Sequence, residues 1–269
     1  KPPVERVMTG RRLLSVSREA LRRIFYLSYA WRMTSDDGFY ERAVEEMMAV
    51  AGFSDWNPSH FLDVAEMTMA VSLGYDWLFD RLPPGTRITL RKAIVEKGLR
   101  PSMLPQNSGW TRAVHNWNQV CNAGMTFGAL AVWEDEKELA DSVIDRAVKT
   151  ITLPMNDYEP DGAYPEGYSY WGYGTSFNVM LLYALEKVFG NDNLIKINKG
   201  FMQTAGYLEN MTGPTGLSFN YSDAGQGSGM NPAMFWFANR LNDPSLLWSE
   251  KYHLETGNLP NDRLLQVVS

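Results

Sequence analysis

The residues most able to do chemistry lie in two clusters. From Asp161 the chain reads Asp-Gly-Ala-Tyr-Pro-Glu-Gly-Tyr-Ser-Tyr-Trp-Gly-Tyr-Gly, ending at Gly174. Phenols, carboxylates and a large aromatic ring crowd together there, interrupted by glycine. The second cluster, His115-Asn116-Trp117-Asn118-Gln119, lies upstream at the start of a helical run. Carboxylates and phenols can carry protons. Side-chain amides can bind an anion without bringing a charge of their own. Aromatic faces suit stacking on a ring-shaped ligand such as a sugar. The two clusters read as halves of one site.

Each of these residues also has a plainer reading. Asn116 and Asn118 can cap the following helix, although two Asn, a His and a Trp together exceed what a cap needs. Trp117 can fill a core as well as stack on a sugar, and His115 can be a structural hydrogen-bonding group. Among Tyr164, Tyr168, Tyr170 and Tyr173, some are expected only to pack. A tyrosine that transfers a proton needs its phenol pKa brought from about 10 toward 7, which takes about 4 kcal/mol from its neighbours. Arg112 is the closest basic candidate in the sequence; its plain reading is a surface charge. Asp161 and Glu166 could instead form an acid/base pair for glycoside hydrolysis, against a turn role for Asp161 before Gly162. A third polar patch, Ser218 to Gly225, lines a site or forms Asx turns at Asn220 and Asp223, with turns slightly favoured. Gly227 to Gly229 lacks the strand and the Lys-Ser/Thr of a phosphate loop. Glu66, on an otherwise apolar helix, requires a partner or a site role.

The elements that must hold these clusters are helices. Ser17 begins one, with Leu21, Ile24, Phe25 and Trp31 at three-four spacing, and Ser35 to Gly38 ends it. A second runs from Phe39 to Val50. Ser59 to Phe79 is apolar nearly all round and is expected to be buried. After the break at Pro83-Pro84-Gly85, Thr86 to Leu99 is amphipathic and is expected to cover it. The alternation repeats: Trp117–Val132 inner, Glu136–Ile151 outer, Gly174–Phe189 inner, Asn193–Glu209 outer, and Ala233–Leu241 a short inner helix. Asp161 to Gly174 is expected to be loop, because a helical Gly costs about 1 kcal/mol and Pro about 3. Only Gly216 to Tyr221 alternates, weakly, as a strand. The expected fold class is therefore all-α, an incomplete (α/α) toroid of helical hairpins forming a single domain over residues 1–269.

Composition narrows the functional classes. Lys plus Arg is 25 and Asp plus Glu 31, a net charge of −6, which argues against a nucleic-acid surface. Cys121 is the single cysteine and there are three histidines. No internal disulfide and no metal or cofactor site is expected. No run of eighteen apolar residues is present, so no membrane span is expected. The start carries no signal peptide, and Lys1-Pro2-Pro3 reads as the middle of something longer. Nothing in the sequence specifies an oligomer.

The two clusters together, Asn116 to Gly124 and Asp161 to Gly174, resemble the heparinase II/III-like polysaccharide lyases, and the hairpin pattern is similar to their N-terminal α/α toroid. The resemblance implies β-elimination on an acidic, uronic-acid-containing glycan such as a glycosaminoglycan or alginate. It assigns neutralisation of the substrate carboxylate to Asn116 or Asn118 and the acid/base role to Tyr170 or Tyr173. His115, Trp117, Glu166, Trp171 and Arg112 are the accompanying substrate-binding candidates. Such lyases usually add a C-terminal β-sandwich with a further catalytic histidine. Nothing after Asp262 could be that domain, so the chain is expected to be a fragment of a larger lyase or a toroid-only relative. The substrate class implies a periplasmic or secreted protein. The alternatives are a hydrolase using Asp161 and Glu166, and a non-catalytic glycan-binding domain.

Overall fold

The structure is a computed structural model that describes residues 1–190 and 192–256, apart from the side chain of Ile197. The expectation for residues after Asp262 lies outside them. The described chain is mostly helical, with no strand, only isolated bridges. The principal helices are α1 (Leu14–Thr34), α2 (Asp37–Ala51), α3 (Phe61–Trp77), α4 (Pro84–Ala93), α5 (Asn116–Ala131), α6 (Lys137–Thr150), α7 (Thr152–Asn156), α8 (Tyr168–Phe189), α9 (Asn193–Ile197), α10 (Lys199–Asn210), α11 (Ala233–Leu241) and α12 (Trp248–Thr256). Two compact units emerge: Lys1–Thr111 with Cys121–Ala147, and Arg112–Val120 with the chain from Val148 onward.

In the first unit α3 is the inner helix. Every residue from Phe61 to Tyr75 is buried, as its unbroken apolar surface requires. Its two buried carboxylates, Asp63 and Glu66, are both partnered. Asp63 accepts from Leu13 N–H at 2.5 Å and Asn57 Nδ2 at 2.7 Å, and meets His60 Nδ1 at 2.6 Å. Glu66 pairs with Arg18 at 3.2 Å, which gives it a structural partner. The later part of α5 lies against α3 because its residues are small: a Cβ on Gly124 would run into the Ala65 main chain, and one on Gly128 into the Thr68 methyl at 2.6 Å.

Several boundaries differ from expectation. Ser17 does not cap α1, which starts three residues earlier; its hydroxyl is buried and donates to Asp63 O at 2.8 Å. Asp36 caps α2 through Gly38 N–H at 2.8 Å, so the acidic pair opens the second helix rather than only closing the first. Pro84 sits in the first turn of α4, where its missing N–H is harmless, and the helix relaxes into a π-turn over Ile94–Leu99. The span Asn193–Glu209 is two helices, split at Asn198, whose ψ of 80° leaves the helical range. Gly216 to Tyr221 forms no strand, only bridges Thr212 to Ser218 and Leu217 to Gly227.

The largest difference concerns the aromatic cluster. Asp161 to Gly167 is loop, but Tyr168 to Gly174 forms the first two turns of α8. Gly172 and Gly174 together cost about 2 kcal/mol of helix propensity. Burial of Trp171, which is fully enclosed, offsets that, since a large apolar side chain gains about 1.5–3 kcal/mol.

Candidate functional site

The second unit brings the two clusters together. Loop residues 161–167 lead into α8, and Gly167, at φ +84°, makes the turn. A side chain there would also strike Ala224 Cβ at 2.7 Å and Tyr221 O at 2.8 Å. Gly174 lets α8 pass close to the first turn of α5: its absent Cβ would lie 3.2 Å from Asn116 Cβ and 3.1 Å from Tyr164 Oη.

At the centre is the Glu166 carboxylate, half-buried. Asn116 Nδ2 donates to both its oxygens at 3.0 Å, and Asn116 N–H reaches Oε2 at 3.3 Å. Tyr164 Oη donates to the same Oε2 at 2.8 Å. Behind it, Tyr164 also lies 3.4 Å from Gln119 Oε1, Gln119 Nε2 donates to Tyr158 Oη at 2.8 Å, and Tyr158 meets Thr175 Oγ1 at 2.8 Å. The four donor contacts on Glu166 come from neutral groups.

Burial pushes the Tyr164 phenol far above its ordinary range, helped by Tyr158 and by the charge on Glu166. Tyr158 is likewise raised, mainly by burial. Both therefore stay protonated and act as hydrogen-bonding groups, not bases. Asp157 is raised as well, by burial first and then by the Glu166 charge, with His115 pulling the other way.

The remaining candidates separate clearly. Asn118 is fully buried and its Nδ2 donates to Ala113 O at 3.0 Å and Thr150 O at 3.1 Å. Both amide hydrogens are thus used on main-chain carbonyls, whereas the Asn116 amide faces a carboxylate. Trp171 is also a correction: it has no exposed face to stack on a sugar, and its indole N–H donates to Thr204 Oγ1 at 2.7 Å. Asp161 is exposed and its Oδ1 accepts from Ala163 N–H at 3.3 Å, a turn role. Tyr168 is buried, donating to Gly229 O at 3.0 Å and accepting from Asn231 Nδ2 at 3.0 Å.

Tyr170 and Tyr173 are both half-exposed near the start of α8, and Tyr173 packs edge-on against Phe177 at 5.4 Å. Tyr170 precedes Gly174 by four residues and so shares the helix face that meets Asn116. His115 and Trp117 are half-exposed, and Arg112 is exposed. His115 Nδ1 lies 3.4 Å from Trp117 N–H.

Sequence reasoning passed over Tyr158, Thr175 and Asp157. Tyr158 and Asp157 precede the aromatic cluster by a few residues, and Thr175 follows it, yet nothing in their spacing marks them as connected to Gln119. Among the described residues no group of His, Cys, Asp and Glu is arranged to hold a metal ion, and no helix is long and apolar enough to cross a membrane. No protein-family model matches the chain, and no curated protein matches it.

Proposed function

We propose that this chain carries the site of a polysaccharide lyase that cleaves a uronic-acid-containing glycan by β-elimination. The observation that supports it is the neutral cradle around one carboxylate: the Asn116 amide, the Asn116 N–H and the Tyr164 phenol all donate to Glu166. In the free protein Glu166 stands in for the substrate carboxylate. Two carboxylates about 4 Å apart repel by about 4 kcal/mol at an effective dielectric near 20. The uronate therefore displaces Glu166 as it binds.

With its carboxylate held by neutral donors, the sugar's C5 proton becomes more acidic, because the charge that develops on its removal spreads onto carboxylate oxygens that the cradle already binds. The base in this reading is Tyr170, whose oxygen takes that proton. The C5–H electron pair forms the C4=C5 double bond, the C4–O bond breaks, and the departing oxygen receives a proton from a phenol, Tyr170 itself or Tyr173. One chain becomes two, one ending in an unsaturated uronate, with no water consumed. Helix geometry favours Tyr170 over Tyr173, since it lies on the face that meets Asn116. The inner and outer helices fit a scaffold of α/α-toroid hairpins, and acidic polymers of this kind are met outside the cytoplasm.

A second reading, hydrolysis, draws on one observation: Asp157 is raised, by burial first and then by Glu166, as a general acid beside a second carboxylate would be. Substitution separates the two. The lyase reading expects Asn116→Ala and Tyr170→Phe each to abolish the ultraviolet absorbance of unsaturated product from uronate polymers. It expects Glu166→Gln to keep turnover and bind uronate oligosaccharides more tightly. Loss of turnover in Glu166→Gln, with saturated products from the wild type, would establish hydrolysis instead.

A further inference from the structure

The loop between α10 and α11 exposes Phe219 to 66%, although nothing in the chemistry above uses it. The loop is not a loose tip. Phe219 N–H donates to Met211 O at 2.8 Å, Ser218 N–H to Gln226 O at 3.1 Å, and Gly213 N–H to Leu217 O at 2.9 Å. The buried Ser218 hydroxyl lies 3.1 Å from both Gly225 O and Gly227 O. At its far end Gly229 is tied to the Tyr168 phenol. The same loop also exposes Leu217, to 52%.

The ring is also connected to the cradle. Phe219 packs on Tyr221 with centroids 5.8 Å apart at 39°. The Tyr221 hydroxyl donates to Tyr164 O and meets Tyr207 Oη at 2.5 Å. Tyr164 is the residue whose phenol binds Glu166. Tyr221 O and Ala224 close over Gly167, the residue that follows Glu166. We infer that Phe219, backed by Tyr221, is an aromatic shelf that stacks the pyranose ring of a sugar neighbouring the one held at the Asn116–Glu166 cradle. The shelf rests on the reading of that cradle as a glycan site. It binds the apolar face of a ring and leaves the charged groups of the acidic chain to the cradle, so it selects for chain length rather than for charge.

The test measures dissociation constants by calorimetry for polyglucuronate, polymannuronate and heparan sulfate oligosaccharides of two to six sugars. Neutral β-glucan oligosaccharides of the same lengths are run beside them. Wild type, Phe219→Ala and Phe219→Trp are compared. Phe219→Ala is expected to weaken the longer oligosaccharides about fivefold to tenfold, the loss of ~1 to 1.4 kcal/mol of ring contact. Disaccharides should be unaffected, and Phe219→Trp should restore the loss. Equal constants in wild type and Phe219→Ala at every length, or no binding by the wild type, would overturn the shelf. Neutral oligosaccharides bound in a Phe219-dependent way, with no uronate bound, would support the shelf while refuting the uronate reading. Uronates bound and cleaved equally well by Phe219→Ala would do the reverse.

Discussion

Replacing Gly174 by alanine tests how tightly α8 closes on the cradle. In an open helix the change gains about 1 kcal/mol. At Gly174 the new Cβ falls inside contact with Gln119 Oε1, 3.1 Å from Tyr164 Oη and 3.2 Å from Asn116 Cβ. Gln119 cannot swing aside without giving up its bond to Tyr158, worth about 0.5–1.5 kcal/mol. Overpacking adds about 1–3 kcal/mol. Losses of about 1.5–4.5 kcal/mol thus exceed the gain, leaving the variant destabilised by about 0.5–3.5. Gly206 supplies the control: it lies in α10 of the same unit, and a Cβ there meets nothing within 4 Å. Gly206→Ala should stabilise by about 1 kcal/mol. The gap between the two variants is at least about 1.5 kcal/mol, or a urea midpoint difference of at least about 0.5 M for a slope near 3 kcal/mol per M. Equal midpoints would refute the claimed packing of Gly174 against Gln119 and Asn116.

Gly124→Ala should destabilise more than Gly128→Ala, by about 1–3 kcal/mol of overpacking, and melt at a lower temperature, because Ala65 main chain cannot yield as the Thr68 and Leu99 side-chain ends can. Asn118→Ala should destabilise by about 2–4 kcal/mol in urea titrations, having stripped donors from two carbonyls, whereas Asn116→Ala should remove activity with a smaller loss of stability. Glu250 gives a pH test: burial pushes its carboxyl up to about 8, against the N–H of Asn231 at 2.9 Å and with Glu209 adding to the rise. The native state then holds a proton that the unfolded chain releases, so this contribution falls as pH rises from about 4.5 to 8. Glu209, itself raised by burial, adds a slope of the same sign, and His253, lowered by burial, adds the opposite slope below about 6.5. Glu250→Gln should flatten the fall in melting temperature across that window.

The sequence carried the helices further than the site. α3 was legible because its apolar residues leave no polar face, and burial of Phe61 to Tyr75 follows directly. Helix starts were less legible, because a serine can bond elsewhere: Ser17 reaches across to Asp63 O instead of capping its own helix. The loop assignment for Tyr168 to Gly174 applied helix propensity where packing decided the outcome. Gly172 and Gly174 read as breakers, yet Gly174 is the residue that lets two helices approach. At the site, the nearness of an upstream amide to a downstream cluster was legible from residue types, and Asn116 and Tyr164 both donate to Glu166. Its partner being the protein's own carboxylate was not, since fifty residues separate them and only the fold closes that distance. Nor could spacing divide Asn116 from Asn118, because which amide is consumed by backbone carbonyls depends on where Ala113 and Thr150 fall.

The central claim is elimination at a carboxylate held by neutral donors, and the masses of the products test it most directly. A uronate oligosaccharide of defined length, cleaved by the full protein, should yield two fragments whose masses sum to that of the substrate, one absorbing in the ultraviolet. Fragments whose masses sum to the substrate plus one water, with no such absorbance, would contradict the account.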